Sequence, residues 1–181
     1  VTYHPVTAAA HDTKSEIASL VAALEAFPEA TVVFTLPNAD PEHEIIAGAL
    51  EGAALEHDRW HLFSSLGTRN YVSLLSEAAV VVGNSSSGLL EAPSLEVPTV
   101  NIGPRQQGRL AAQSVLSCGT NQEEIEENIT RAISREFADS IRGMQSPYGM
   151  PGAPDRIIAL LESIPFDTLV EKVYYDPPEK K

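Results

Sequence analysis

Several residues in this chain have the types and spacing to handle an anion. His4 follows an apolar run in VTYHPVT, and Asn38 follows another in TLPNAD. Asn84, Ser85, Ser86, Ser87 and Gly88 follow the valines of AVVVG, and Arg105 and Arg109 sit in NIGPRQQGR. The pattern after Ser86 predicts a helix to Leu95. Serines at its start would meet unpaired N–H groups and the positive end of the dipole, where phosphate is favoured. Gly88 would let a ligand approach the backbone. A simpler reading is an N-capping serine and a turn asparagine. The two arginines tilt the balance toward a ligand, because a guanidinium fork matches phosphate oxygens. Glu91 either favours the helix dipole or accepts hydrogen bonds from ribose hydroxyls. His4 has the chemistry to contact phosphate or to donate a proton to a leaving group.

Other chemistries find little support. His57 and His61 have the i, i+4 spacing of a zinc helix, but RWHLF reads as a strand and Asp58 stands where that motif has Glu. No metal site or cofactor is expected. There is no G-x-G-x-x-G and no P-loop. All five histidines precede Ser85, so the Ser–Asp–His order of an α/β-hydrolase cannot be met.

These residues need elements to hold them. Strand-like runs lie at Val1–Tyr3, Thr31–Leu36, His61–Ser64, Ala79–Gly83 and Thr99–Gly103, with a weaker one at Gln113–Cys118. Ile17, Leu20, Val21 and Leu24 have the spacing of one helix face. Ile45, Ile46, Ala49 and Leu50 repeat it, as do Tyr71, Leu74, Leu75 and Ala78. Ile125, Ile129 and Ile133 predict a further helix, then Ile157, Ile158 and Leu161, then Phe166, Leu169, Val170 and Val173. Such alternation implies an α/β fold: a Rossmann-like parallel sheet with helices on both faces. Ligands then lie beyond the carboxyl ends of the strands. There stand His4, Pro37 and Asn38, Ser65 to Gly67, Asn84 to Gly88, and Pro104 to Arg109. The long loop 142–155 reads as functional or partner-facing.

Composition narrows the partners. The 181 residues allow a sizeable core, burying roughly 70% of the unfolded surface. A net charge of −13 argues against nucleic acid or an anionic membrane as partner, and no apolar run is long enough to span one. One cysteine, Cys118, suits the cytoplasm. The chain opens on a strand without Met or a signal peptide, so a domain cut from a longer protein is expected.

Taken in order, VTYHPVT, TLPNAD, LGTRNYVSLLSEAAVVVGNSSSG, EAPSLEVPTVNIGPRQQGR and SPYG resemble the C-terminal domain of UDP-N-acetylglucosamine 2-epimerases. HPVT and NSSSG are similar to the hydrolysing, N-acetylmannosamine-forming branch that serves sialic acid synthesis. The resemblance implies the C-terminal half of a GT-B type fold, with UDP in the cleft between two Rossmann-like halves. It implies that His4 contacts the diphosphate and assists its departure, and that Asn38 and the backbone at Leu66 hold the uridine. Ser85 and Ser86 would bind phosphate, Glu91 the ribose, and Arg105 the nucleotide, with Arg109 matching the same motif. Residues 1–165 would form the UDP-binding domain. Residues 166–181 would form a helix and tail that pack on a missing N-terminal domain. The partners implied are UDP or UDP-N-acetylglucosamine, that domain, and further copies of the full-length protein as a homo-oligomer. The isolated chain would be inactive. After SPYG the chain departs from the family at Met150, Pro151, Gly152 and Ala153. A UDP-linked 2,4-diacetamido-trideoxy sugar as substrate, the donor domain of a GT-B glycosyltransferase and a non-catalytic binding module stay open as alternatives.

Overall fold

A computed structural model describes residues 1–7, 11–149 and 151–166. Its strands are β1 (Val32–Thr35), β2 (Trp60–Phe63), β3 (Val81–Gly83), β4 (Thr99–Ile102) and β5 (Val115–Cys118). β1 pairs with β2, β3 with β4 and β4 with β5, every pair in parallel. The expected strand at Val1–Tyr3 is reduced to Thr2, which bridges Thr35 on one side and Gly83 on the other. Thr35 N–H donates to Val1 O at 3.0 Å, Thr2 N–H to Val82 O at 3.1 Å and Asn84 N–H to Thr2 O at 3.2 Å. The spatial order is therefore β2, β1, Thr2, β3, β4, β5. From Thr2 the chain builds outward one way, then returns to build the other way from β3. Thr2 and β3 flank the switch point, where such sheets leave a crevice beyond their carboxyl ends.

Neighbouring residues of a strand point to opposite faces, and β3 shows how both faces are used. Val82 joins the main core, with Phe34, Val100, Ile102 and Leu116 from other strands. Helices α1 (Thr13–Glu25), α2 (His43–Glu56) and α5 (Gln122–Ala132) cover that face, with α1 packed on both of the others. They bury Ile17, Leu20 and Leu24, then Ile46 and Leu50, then Ile125 and Ile129, as their spacing predicts, while Ile45 and Ile133, expected on the same faces, are exposed. Asp12 and Asn121 cap α1 and α5, accepting from Ser15 N–H at 3.1 Å and Glu124 N–H at 2.9 Å. Val81 points the other way, toward Leu75, Ala92 and Val97. Here lie α3 (Gly67–Glu77) and α4 (Ser87–Leu90). Leu75 is the one buried residue of α3, while Leu74, expected on its inner face, is exposed.

The helix expected from Ser86 to Leu95 is split. After α4, a short 3-10 helix spans Ala92–Leu95, with Pro93 near its start. Proline has no N–H to donate and its ring crowds the preceding turn, so an α-helix cannot run through it. Gly88 also has a different duty from the one expected. A Cβ there would lie 2.5 Å from Thr99 Cγ2, so the missing side chain lets α4 sit on β4.

The chain packs as two compact units, Val1–Gly149 and Met150–Lys181. In the first, Gly143 N–H donates to Glu96 Oε1 at 3.0 Å and Tyr148 O–H to Leu110 O at 2.9 Å, which pins part of the long loop. In the second, α6 (Ala153–Ser163) starts after Gly152, at φ 95°, and contains Ile157, Ile158 and Leu161 as expected. None of its residues is buried, and Phe166 is exposed. Met150, Leu169, Val170 and Val173 lie outside the described residues. No described helix is long and apolar enough to cross a membrane.

Gly83 is where the sheet is most tightly constrained. Its φ is 135°, and a Cβ would stand 2.0 Å from Thr2 O. Gly83→Ala should lower stability by about 3 kcal/mol or more. Gly52→Ala, in α2 with nothing within 4 Å of the added carbon, should raise it by roughly 0.5–1 kcal/mol. Urea unfolding of both variants tests the contrast.

Candidate functional site

Asn84 follows β3 directly and is fully buried. Its Oδ1 accepts from His4 N–H at 2.7 Å, and its Nδ2 donates to His4 O at 2.8 Å. Its own carbonyl accepts from Gln106 Nε2 at 2.7 Å and from an Arg105 guanidinium nitrogen at 3.1 Å. One carboxamide and one carbonyl thus tie the ends of the first, fourth and fifth strand segments together. The second segment joins through Asn38, whose N–H donates to His4 Nδ1 at 3.2 Å. Because Nδ1 accepts, a neutral His4 ring carries its proton on Nε2. Burial, and next the Arg105 charge, hold His4 below the usual imidazole range, while Asp40 pulls the other way.

Beside this clamp lies a cavity of about 480 Å³, within the range of small-ligand sites. Thr7, Asp40, Ser86, Arg105, Gln106 and Arg109 help to line it. The serines have separate duties. Ser87 shares a 2.5 Å hydrogen bond with Tyr71 on α3, and Ser85 Oγ accepts weakly from Ser87 N–H at 3.4 Å. Ser86 makes no side-chain cap to α4, so its hydroxyl is available to a ligand. Arg105 is half-buried. Burial and the nearby Arg109 press its guanidinium below its ordinary range, and Asp40 opposes them. Two guanidinium groups and a hydroxyl in its wall are a donor set for an anion, gathered locally on an acidic chain.

His4, Asn38, Ser85, Ser86, Arg105 and Arg109 are thereby gathered at one end of the sheet. Of these, Ser86, Arg105 and Arg109 line the cavity, whereas His4, Asn38 and Ser85, like Glu91, exposed after α4, and Leu66, just before α3, are not in its wall. Leu66 instead borders an apolar groove of about 500 Å³ with Tyr71 and Leu74. The sequence reading missed the clamp role of Asn84, along with Gln106 and Asp40. A buried strand running into asparagine was the available signal for the first, and it was read as a turn. His57 stacks on Trp60 with ring centroids 4.1 Å apart and lies 3.4 Å from Glu25. His61 is exposed on β2.

The sequence model of the UDP-N-acetylglucosamine 2-epimerase family matches residues 1–162. A Campylobacter jejuni relative named GDP/UDP-N,N'-diacetylbacillosamine 2-epimerase (hydrolyzing) is 33% identical over 178 residues, covering 97% of this chain and 46% of the relative. The solved UDP-GlcNAc 2-epimerase of Neisseria meningitidis, bound to UDP-GlcNAc, matches with a TM-score of 0.63 at 22% identity. That match covers 83% of this chain and 41% of the other. The S. aureus MnaA–UDP structure matches with a TM-score of 0.68 at 16% identity, covering 95% and 46%. The chain thus spans less than half the length of each of these proteins. These neighbours set its fold as an α/β, Rossmann-like half of a GT-B arrangement.

The Asn38–His4 contact makes a spectroscopic prediction. In ¹H–¹⁵N spectra at neutral pH the His4 proton should sit on Nε2, and the ring should titrate below the usual 6.5 or so. The sign for stability follows. A histidine held neutral by the fold contributes fully above about pH 6.5, and that contribution is lost as pH falls through the unfolded value toward the folded one. An Nδ1-protonated ring, or one titrating above 6.5, would contradict the geometry.

Proposed function

The chain belongs to the UDP-N-acetylglucosamine 2-epimerase family, and from that premise we propose that it is the nucleotide-gripping half of a hydrolysing 2-epimerase. The observation that carries this reading is the cavity beside the Asn84 clamp, where Ser86, Arg105 and Arg109 supply donors at the sheet's switch point, with His4 held in the clamp next to it. A diphosphate meets that need. Its oxygens accept from both guanidinium groups and the Ser86 hydroxyl, with Ser85 beside it. Glu91 takes the ribose hydroxyls, and Asn38 with the backbone at Leu66 takes the uracil. The name of the C. jejuni relative, and the HPVT and NSSSG elements, support the hydrolysing branch over the other.

The chemistry follows in two stages. Loss of the proton on the second sugar carbon and cleavage of the first carbon's bond to oxygen release UDP and leave an unsaturated sugar. Water then adds across that double bond with inverted configuration at the second carbon, yielding free N-acetylmannosamine. His4 aids the first stage by donating from Nε2 to the departing phosphate oxygen, which carries growing negative charge. As a ring held neutral by burial, it acts first as a hydrogen-bond donor. The groups that move protons on the sugar belong to the half that the chain does not span. A UDP-2,4-diacetamido-trideoxy sugar is the second reading for the substrate, favoured by that relative's name.

Calorimetry should show UDP binding to the chain and no comparable binding of ADP. Arg105→Ala should weaken UDP by about tenfold or more, as expected for a lost charge-assisted hydrogen bond. Equal binding of ADP, or an unaffected variant, would count against the site. The chain alone should release no UDP from UDP-N-acetylglucosamine, and measurable release would refute the division of labour between halves.

A further inference from the structure

Asp40 is out of place in a site built for an anion. It lines the same cavity as Ser86, Arg105 and Arg109. Its backbone is fixed ahead of α2, where its carbonyl accepts from His43 N–H at 3.1 Å and lies 2.8 Å from His43 Nδ1. Its carboxylate is half-buried and makes no hydrogen bond or ion pair among the described residues. Arg105 is near enough to feel its charge, yet the two form no salt bridge. Arg105 instead directs a guanidinium nitrogen to Asn84 O.

An ionised carboxylate only accepts hydrogen bonds. It repels a diphosphate at close range, so the ligand atoms beside it are neutral and carry donors. In a UDP-sugar these are the hydroxyl or amide groups of the sugar, or the ribose diol. Glu91 lies outside the cavity wall after α4 and serves the ribose in the reading above, which leaves the sugar for Asp40. We propose that Asp40 is a specificity-determining residue that accepts a hydrogen bond from a hydroxyl or N-acetyl N–H of the sugar attached to the diphosphate. The like charge has a second consequence. Free UDP, with one more negative charge on its terminal phosphate than the sugar ester, is disfavoured beside Asp40, so the residue also favours release of the product UDP.

This inference rests on the UDP-sugar reading, and one titration series separates the two. The chain and its Asp40→Asn variant are titrated with UDP and with UDP-N-acetylglucosamine. Asparagine matches aspartate in size and breaks no internal hydrogen bond or ion pair, so the variant should fold as the parent does. The expected result is that Asp40→Asn weakens the sugar nucleotide by about tenfold, the size of one lost charge-assisted hydrogen bond. UDP binding should stay within about twofold of the parent or become tighter, as like-charge repulsion is relieved. A parallel loss for UDP would move Asp40 to the ribose and overturn the proposal, and so would no loss for either ligand. Failure of the parent chain to bind UDP at all would instead remove the underlying site.

Discussion

The organisation of this site depends on a single buried carboxamide. Asn84 uses its side chain on both backbone groups of His4, while its carbonyl receives Gln106 and Arg105. The bonds to His4 and from Gln106 are made out of water, where a polar group left unpaired costs about 1–3 kcal/mol. Losing the side chain would therefore leave His4 N–H and C=O without partners inside the protein. The clamp also explains why the first strand segment can be as short as Thr2. What its ladder lacks in length is supplied by side-chain bonds from the neighbouring strand end. Gly83, immediately before Asn84, permits the close approach, since any Cβ there would collide with Thr2 O.

From that clamp follows the electrostatic character of the cavity. Arg105 is oriented by Asn84 O, and its own charge then helps hold His4 neutral. Asn38 N–H selects the tautomer. Charge and proton position are thus set before any ligand arrives, which avoids reorganisation when negative charge enters or develops. The chain as a whole is strongly acidic, so the affinity of this cavity for an anion would depend on local placement of a few donors and not on overall charge. Asp40 sets a negative charge in the same wall as Arg105 and Arg109.

Much of the architecture was legible in the sequence. Alternating apolar runs and helical spacings indicated a parallel α/β sheet, because both periodicities arise from backbone geometry that each residue carries locally. The strand-end rule then pointed to His4, Asn38, the serines and the arginines as neighbours before any contact was seen. The misreadings have local causes too. Pro93 splits the expected helix after Ser86, although its position was plain in the chain. Leu74 matched the inner face of α3 but is exposed, since periodicity does not say how much neighbouring structure there is to pack against.

What the sequence determined by itself was the fold class, the order of the elements and the set of residues delivered to one edge of the sheet. These follow from period, propensity and chain order, which act over a few residues at a time. Only the tertiary structure decided what each of those residues does. Asn84 reads as a turn residue and Gly88 as a place for close ligand approach, yet one is a clamp between strand ends and the other a gap filled by Thr99. Ser86 and Ser87 are adjacent and identical, yet one hydroxyl lines the cavity and the other is bonded to Tyr71. Such roles depend on partners 11 to 80 residues away along the chain. Hydrogen bonds and burial at that separation are set by packing, and no local pattern records them.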